Sequence, residues 1–363
     1  MEEKIRYVGI DLGKRTYQCA ILDEKAKNQQ FNGKADGIGL ERLAKRLGND
    51  DLVGLEAGNN AFNIARYLTD RVGCHVVVLN PGKLAMIYQS LKKTDREDAV
   101  QIARLLQRNP VEELPTVPLP TKKEEEERSV VAELATYKAD RTRYINRLHS
   151  VFLDSGITTI TKADLKTASN REKNVLTLLT GRHVREARRL IEMVAYCEAI
   201  IEDLEQETKQ FLESEKNTGI LMSVPGVGPA TALAFIAYVG DGSRFANADQ
   251  VANYAGLTPR VDSSGETHRM GPISKRGCAY LRRVIVQAAW SLVRSKSGGH
   301  LKEAYKTLIT RKPKAVAIIA IARRLVKLLY TLVTKKTYYR YSQLKERLAK
   351  LKYHKLQIIG LGS

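Results

Sequence analysis

Disulfide and zinc signatures are absent from this sequence. Its 363 residues include only four cysteines, which lie far apart and form no CxxC pair, and its six histidines do not cluster with them. Disulfide frameworks and zinc sites both need several ligands at suitable spacings. We therefore expect reduced, mostly buried thiols in a cytosolic protein.

Membrane and export signals are lacking as well. The uncharged apolar run at 315–322 is far shorter than the roughly 20 residues of a bilayer span. The first residues, MEEKIRYVGIDLG, carry acids where a signal peptide carries positive charge, and no long apolar stretch follows them. These absences predict a soluble cytoplasmic protein with no membrane partner.

Charge, in contrast, is abundant and one-sided. The chain has 60 Lys and Arg against 40 Asp and Glu, a formal net charge of +20. Residues 220–355 hold 25 basic and 6 acidic side chains, whereas residues 1–121 and 122–219 are each nearly balanced. Such an excess is typical of proteins that bind a polyanion, because neutralised phosphates release their counterions. We therefore expect nucleic acid as a partner; a solvated basic face is the alternative.

The first segment, residues 1–121, alternates strand-like apolar runs with helical stretches. Its strand candidates are RYVGIDLG, TYQCAILDE, DLVGLEA and CHVVVLN, the first two as a hairpin. NNAFNIARYLTDRVG has helical spacing and a stop at Gly73, and DREDAVQIARLLQRN is a second helix. Four prolines between 110 and 120 then predict a boundary. This segment is expected to be an α/β domain.

The other two segments are predicted to be mainly helical. Residues 122–219 contain long charged helical patterns at 124–153 and 171–216, which indicate either a helical coiled-coil connector or part of an ordinary bundle. Residues 220–363 are expected to be mostly α, with an apolar helix, a polar Gly/Ser-rich loop and two amphipathic helices.

Four acidic residues stand where a strand or a helix is predicted to end or begin. Asp11 follows the run Val8-Gly9-Ile10, and Glu56 ends a second strand-like run. Asp95 and Asp98 are three residues apart at a helix start, which places them on one face. Together the four could hold a pair of Mg²⁺ ions, which prefer oxygen ligands and can clamp the reacting oxygens of a phosphodiester. Each acid also has a structural alternative as a cap, a turn residue or a solvated side chain.

A glycine-containing turn lies between predicted helices in VPGVGPATA, residues 224–232. This segment, with Gly226 and Gly228, resembles the turn of a helix-hairpin-helix. In that motif backbone N–H groups approach a phosphate, and the N-terminus of the next helix adds the positive end of its dipole. The alternative is a tight interhelical turn without a ligand.

The polar loop at 256–277 combines hydroxyl, basic and glycine residues. Ser263 and Ser264, beside Gly265, suit a hydroxyl nucleophile that attacks a phosphate, with nearby cations stabilising the non-bridging oxygens. Ser-Ser-Gly is also common in loops without chemistry. The candidate phosphate or RNA contacts in and after this loop are Arg260, His268, Arg269, Lys275, Arg276, Arg282 and Arg283.

Six pieces of this sequence resemble, in order, the DEDD transposases of insertion sequences, recombinases guided by a structured bridge RNA. The pieces are GIDLGK, GLEAGNN, KKTDREDA, SVPGVGPATA, GLTPRVDSSGE and ISKRGCAYLRR. The resemblance covers essentially the whole chain. It implies a RuvC-like domain of ribonuclease H fold at 1–121, a coiled-coil connector at 122–219 and a transposase domain with a helix-hairpin-helix at 220–363.

The resemblance also implies roles for single residues. The four acids would be Mg²⁺ ligands, and a serine of the Ser-Ser-Gly loop would form a covalent link to DNA. Ser263 is favoured, Ser264 stays open, and Ser274 ranks third. Cys278 departs from the family pattern, which usually has Asn or Asp at this position.

We therefore predict an RNA-guided DNA recombinase that excises and inserts an insertion sequence in the cytoplasm of a bacterial or archaeal cell, in association with the nucleoid. Its partners would be donor and target DNA, a guide RNA and further copies of itself. The resemblance implies a homodimer or homotetramer in which different subunits supply the acids and the serine of one site. Whether the C-terminal basic helices hold RNA or DNA stays open.

Two other functions fit the same residues. A RuvC-like, metal-dependent, structure-selective nuclease would use the acids with water as nucleophile and form no covalent intermediate. A non-enzymatic nucleic-acid-binding protein would use the acids only as structural groups. A steep dependence of affinity on salt does not separate the three functions, because all of them predict it.

Overall fold

A computed structural model of the chain describes the backbone of residues 5–23, 28–58, 60–84, 95–264 and 267–340, and the side chains of these residues except 83, 95–96 and 261–270. The chain divides into two compact units, Met1–Thr121 and Lys122–Ser363. The predicted segments 122–219 and 220–363 both belong to the second unit, and their separation into two domains stays a prediction.

The first unit is an α/β structure built on a mixed five-stranded sheet, as the sequence predicts. Its elements are β1 (Tyr7–Leu12), β2 (Thr16–Leu22), β3 (Asn28–Lys34), α1 (Gly37–Ala44), β4 (Leu52–Glu56), α2 (Ala61–Val72), β5 (His75–Leu79), the short α3 (Pro81–Leu84) and α4 (Asp95–Arg108), followed by a single 3₁₀ turn. The strand order is β3-β2-β1-β4-β5; β2 is antiparallel to both neighbours, whereas β4 is parallel to β1 and β5.

Alternating side chains give this sheet two apolar faces. On one face Val8 and Ile10 of β1 pack with buried residues of α1 and α2, such as Leu43 and Ile64. Helix α2 ends as predicted at Gly73, whose left-handed conformation (φ 82°) allows the chain to turn out of the helix. The opposite face is covered by α4.

Helices predominate in the second unit. The elements are α5 (Lys122–Asp154), α6 (Ala168–Leu178), α7 (Gly181–Glu213), the short α8 (Thr218–Met222), α9 (Pro229–Val239), α10 (Ala248–Tyr254), β6 (Pro259–Ser264), β7 (Thr267–Ile273), α11 (Ala279–Arg294), α12 (Gly299–Ile309) and α13 (Lys314–Thr334). None of the described helices of the chain combines the length and the apolar character that crossing a lipid bilayer would need.

Helices α5 and α7 form an antiparallel pair with two separate apolar clusters. Near the start of α5, Val130 and Leu134 belong to the large core that α7, α9, α11 and α13 share. Near its end, Leu148 and Phe152 pack with α6 and with the first turns of α7 in a second cluster. One end of the α5–α7 pair therefore packs in the large helical core, and the other end forms a separate small apolar core with α6.

Two predictions about secondary structure are wrong. The polar loop at 256–277 contains an antiparallel hairpin, β6–β7, because polar residues also form ladders when they are not required to fill a core. The predicted helix at 171–216 is interrupted between α6 and α7, where Thr180 is extended and Gly181 has a φ of 55°. Neither β3 nor α1 was expected from the sequence pattern; β3, NQQFNGK, is an exposed polar edge strand without apolar alternation.

Candidate active site

Asp11 and Glu56 lie at neighbouring strand ends of the first unit. In the parallel pair β1–β4, Gly9 is aligned with Gly54, and the following pair is also in register. Side chains alternate along a strand, so Asp11 and Glu56 lie on the same sheet face as these two glycines. The register therefore places the two acids side by side at the carboxyl ends of the strands.

Helix α4 covers this same face because the two glycines leave room for it. A Cβ atom at Gly9 would lie 2.0 Å from the carbonyl oxygen of Ala99, and one at Gly54 would lie 2.9 Å from Cδ1 of Leu106. The end of α4 packs against Tyr7, at the start of β1. The amino end of α4 therefore lies at the carboxyl ends of β1 and β4, where the acids are.

The two predicted helix acids belong to this amino end. Helix α4 begins at Asp95, as the sequence predicts, and Asp98 is half-buried one turn later. The side chain of Asp95 lies outside the described residues. The backbone thus brings all four predicted acids to one edge of the domain.

The donor set at this edge consists of carboxylate oxygens, which suit a hard divalent cation such as Mg²⁺. Among the residues whose side chains are described, however, no three His, Cys, Asp or Glu groups lie close enough to hold a metal ion. Asp11 and Glu56 also have interactions of their own in the folded chain.

Gln18 is a candidate that the sequence motifs did not indicate. It is the cross-strand partner of Asp11 in the β1–β2 ladder, and it is half-buried. Ala20, two residues later on the same face, packs with Ala99 of α4, which confirms the side to which Gln18 belongs. Directly opposed side chains have Cβ atoms about 5 Å apart, so the Gln18 amide shares the space of the Asp11 carboxylate. Only the strand register could have revealed it.

The two candidate nucleophiles lie in the second unit, close to the turn of the β6–β7 hairpin. Ser263 is aligned with His268, and Ser264 with Thr267. The side chains of all four residues lie outside the described set. The hairpin thus brings His268 beside Ser263 on the backbone, although the two are five residues apart in sequence.

Comparison with known proteins links both units to one function. Residues 8–156 match the family model of DEDD transposases of IS110 type, described as "Transposase", and residues 218–306 match "Transposase IS116/IS110/IS902 family". The chain is 27% identical to a "Probable family 20 transposase" of Pseudomonas aeruginosa, with 92% of this chain and 98% of that protein covered. It is 26% identical to the "Transposase for insertion sequence element IS1328" of Yersinia enterocolitica, with the same coverage, and 26% identical to the IS1111A transposase of Coxiella burnetii, with 93% and 92% covered.

The chain belongs to the IS110 family of transposases. It is accordingly an enzyme that acts on DNA, and the alternative of a non-catalytic nucleic-acid-binding protein is wrong. The comparisons also favour transposition over the structure-selective nuclease.

The predicted phosphate contacts of this transposase differ in their exposure. Arg260, Lys275, Arg276 and Arg283 are exposed, whereas Arg282 is half-buried. The side chains of His268 and Arg269 lie outside the described residues. Four of the predicted basic residues are therefore exposed to solvent in and near the hairpin, whereas the side chain of Arg282 is partly covered by the protein.

The two turn glycines between α8 and α9 also differ. Gly226 has a φ of 86°, and a Cβ atom there would lie 2.5 Å from the backbone nitrogen of Leu292. Its close approach to α11 is a sufficient reason for glycine. A Cβ atom at Gly228 would meet nothing within 4 Å, and Gly228 is the N-cap of α9. Gly228 is therefore the better placed of the two for a predicted backbone contact with a phosphate.

Cys278, the departure from the family pattern, is the N-cap of α11. Its Sγ atom accepts a hydrogen bond from the backbone N–H of Leu281 at 3.4 Å. Burial is the main reason that the pKa of its thiol is raised. Asn and Asp are preferred N-caps because their oxygens are stronger acceptors than sulfur. Cys278 thus caps α11 through a hydrogen bond to sulfur, which is weaker than one to an Asn or Asp oxygen.

Proposed function

We propose that this transposase cuts and rejoins DNA through a serine-linked intermediate, with a RuvC-like acid site of ribonuclease H type, a structured guide RNA and Mg²⁺ as the metal. The observation that supports the proposal most strongly is the common edge at which β1, β4 and α4 present Asp11, Glu56 and Asp98. Acids from two strand ends and one helix start share this edge of the sheet, and carboxylate oxygens are the donors that a divalent cation prefers in phosphodiester chemistry.

The four acids of the first unit would hold the metal, with Asp95 completing the set. When bound, the metal supplies positive charge to the phosphate oxygens. Gln18 would then orient Asp11 or donate an N–H to the phosphate from the neighbouring strand.

Ser263 of the hairpin is the proposed nucleophile. Its Oγ forms a bond to phosphorus while the bond from phosphorus to the leaving strand's oxygen breaks, and the hydroxyl proton passes to a nearby base. Attack by the hydroxyl of the joining strand reverses the exchange: the new strand is bonded to phosphorus and the serine oxygen is released and protonated. The exposed cations around the hairpin would bind the phosphate backbone.

A covalent adduct tests the nucleophile. The full protein is incubated with Mg²⁺, the element's flanking transcript and end-labelled donor DNA, and the products are separated on denaturing gels. We expect a protein–DNA adduct with wild type and with the matched control Ser264→Ala, but none with Ser263→Ala. Recombinant product without an adduct in any variant would overturn the serine mechanism, and product formed without the transcript would remove the guide RNA.

Complementation between variants tests the assembly. We propose a homodimer or homotetramer in which the acids and the serine of one site come from different subunits. Asp11→Asn and Ser263→Ala should each be inactive alone, and a mixture of the two should recover part of the wild-type recombination. A mixture as inactive as its components would contradict the shared site.

A further inference from the structure

The hairpin that carries the candidate serines is fastened at its base to α10 and α11. The backbone N–H of Ser274 donates to the Thr258 carbonyl, and that of Cys278 donates to the Tyr254 carbonyl, both at 2.8 Å. Gly277 has a φ of 122°, and a Cβ atom there would lie 2.2 Å from the Tyr254 carbonyl oxygen. The two ends of the hairpin segment are therefore held close together.

Arg282 reaches from the first turns of α11 to both ends of this segment. Its Nη1 atom donates to the Ala255 carbonyl at 3.1 Å and to the Lys275 carbonyl at 3.2 Å. Ala255 lies four residues before β6, and Lys275 lies two residues after β7. The Nη1 atom of Arg282 therefore links the chain that enters the hairpin to the chain that leaves it.

The backbone around Arg282 is fitted to the guanidinium. Gly256 has a φ of 66°, and a Cβ atom there would lie 2.5 Å from Nη1 of Arg282 and 2.8 Å from the Arg276 carbonyl oxygen. Glycine at this position leaves the space that the guanidinium occupies. Lys275, which provides one of the two carbonyls, has a φ of 53°, unusual for a residue with a side chain.

We propose that Arg282 is a positioning residue that fixes the serine hairpin, whereas its neighbour Arg283 contacts the nucleic acid. Arg282 is half-buried with Nη1 bound to two protein carbonyls; Arg283 is exposed. Both hydrogen bonds come from Nη1, which is one bond further from the backbone than a lysine Nζ atom, so a lysine at this position would not place its ammonium group where Nη1 meets the two carbonyls. The proposal rests on the serine mechanism above only for its effect on catalysis.

Two measurements on the full protein separate positioning from phosphate contact without using catalysis. The first is the salt dependence of affinity for a fluorescein-labelled duplex of random sequence. We expect the slope of log K against log salt to decrease by about one in Arg283→Gln and to stay unchanged in Arg282→Gln. The second is amide hydrogen exchange of residues 258–275, which we expect to accelerate at least tenfold in Arg282→Gln and to stay unchanged in Arg283→Gln.

Arg282→Lys is the deciding variant because it keeps the charge and is conservative for folding. Positioning predicts that it exchanges as fast as Arg282→Gln and loses at least tenfold in adduct formation while its salt slope stays at the wild-type value. A slope reduced by about one in Arg282→Gln and restored in Arg282→Lys, with hairpin exchange unchanged in both, would overturn the proposal. If wild type forms no adduct, the serine mechanism fails, and exchange and salt dependence still decide the role of Arg282.

Discussion

Glu127, near the start of α5, is 1% exposed. Within the described part of the chain its Oε1 atom has no hydrogen-bond partner, and the nearest cation, the Nζ atom of Lys123, lies 3.9 Å away and forms a closer ion pair with Glu215. Burial, followed by the charge of Glu215, raises the pKa of Glu127 to about 7. The folded protein therefore favours the protonated carboxyl group, whereas the unfolded chain ionises it near its usual pKa.

This difference makes the free energy of unfolding depend on pH. The contribution of Glu127 falls as pH rises from about 4.5 to about 7, because only the unfolded state has lost the proton in that range. We expect Glu127→Gln to be more stable than wild type by about 3 kcal/mol at pH 8 and equal to it near pH 4. Urea denaturation at both pH values measures the difference, and the exposed Glu126→Gln is the matched control. Equal stability of Glu127→Gln and wild type at pH 8 would contradict a raised pKa of Glu127 in the folded protein.

Cys278 allows a test of a single cap. Because the thiol accepts weakly from Leu281, we expect Cys278→Asn to raise the free energy of unfolding by about 0.5–1 kcal/mol, and Cys278→Ala to lower it. Chemical denaturation of the full protein measures both changes. A less stable asparagine variant would mean that packing of this half-buried side chain outweighs its hydrogen bond.

At the scale of elements, the contact of α4 with β1 and β4 depends on glycine at positions 9 and 54, where a side chain would collide with the helix. The nearest atoms to a Cβ at Gly9 belong to the backbone of α4 and cannot rotate away. Any side chain there must push the helix, and with it Asp95 and Asp98, away from the acids on the sheet.

We therefore expect Gly9→Ala to destabilise the protein by at least about 2 kcal/mol and to weaken stabilisation by Mg²⁺. The thermal unfolding midpoint, measured with and without Mg²⁺, reports both effects. Gly37→Ala is the matched control, since a Cβ atom at Gly37 meets nothing within 4 Å. A Gly9→Ala variant as stable as this control would contradict the packing of α4 on the sheet.

The sequence predicted those elements whose residues show a local apolar pattern, and it missed those whose residues are mainly polar. The strands β1, β2, β4 and β5 and the start of α4 at Asp95 could be predicted, because apolar runs and a helix start are local patterns. Edge strand β3 and the β6–β7 hairpin could not, because their polar residues show no apolar alternation. The neighbourhood of Gln18 and Asp11 depends on pairing between strands, which no local pattern contains.

At the scale of the whole molecule, charge and motifs predicted the class of function, but they did not predict how individual side chains are arranged. The basic excess after residue 220 predicted a polyanion, and the comparisons identify a transposase. Sequence assigned Arg282 and Arg283 the same role, since adjacent arginines look alike in composition. Their environments differ because only Arg282 lies within reach of the Ala255 and Lys275 carbonyls.

The uninterrupted course of α5 has a mechanical consequence. Its 33 residues make a rod about 50 Å long, which starts in the shared helical core and ends in the separate cluster with α6. Near its start, the Nε atom of Arg128 donates to the Ala237 carbonyl at 2.8 Å, at the end of α9. The far tip lies about 39 Å from that anchor, so a tilt of about 5° there would displace the tip by about 3 Å. A force applied at the tip would therefore be transmitted to the helical core.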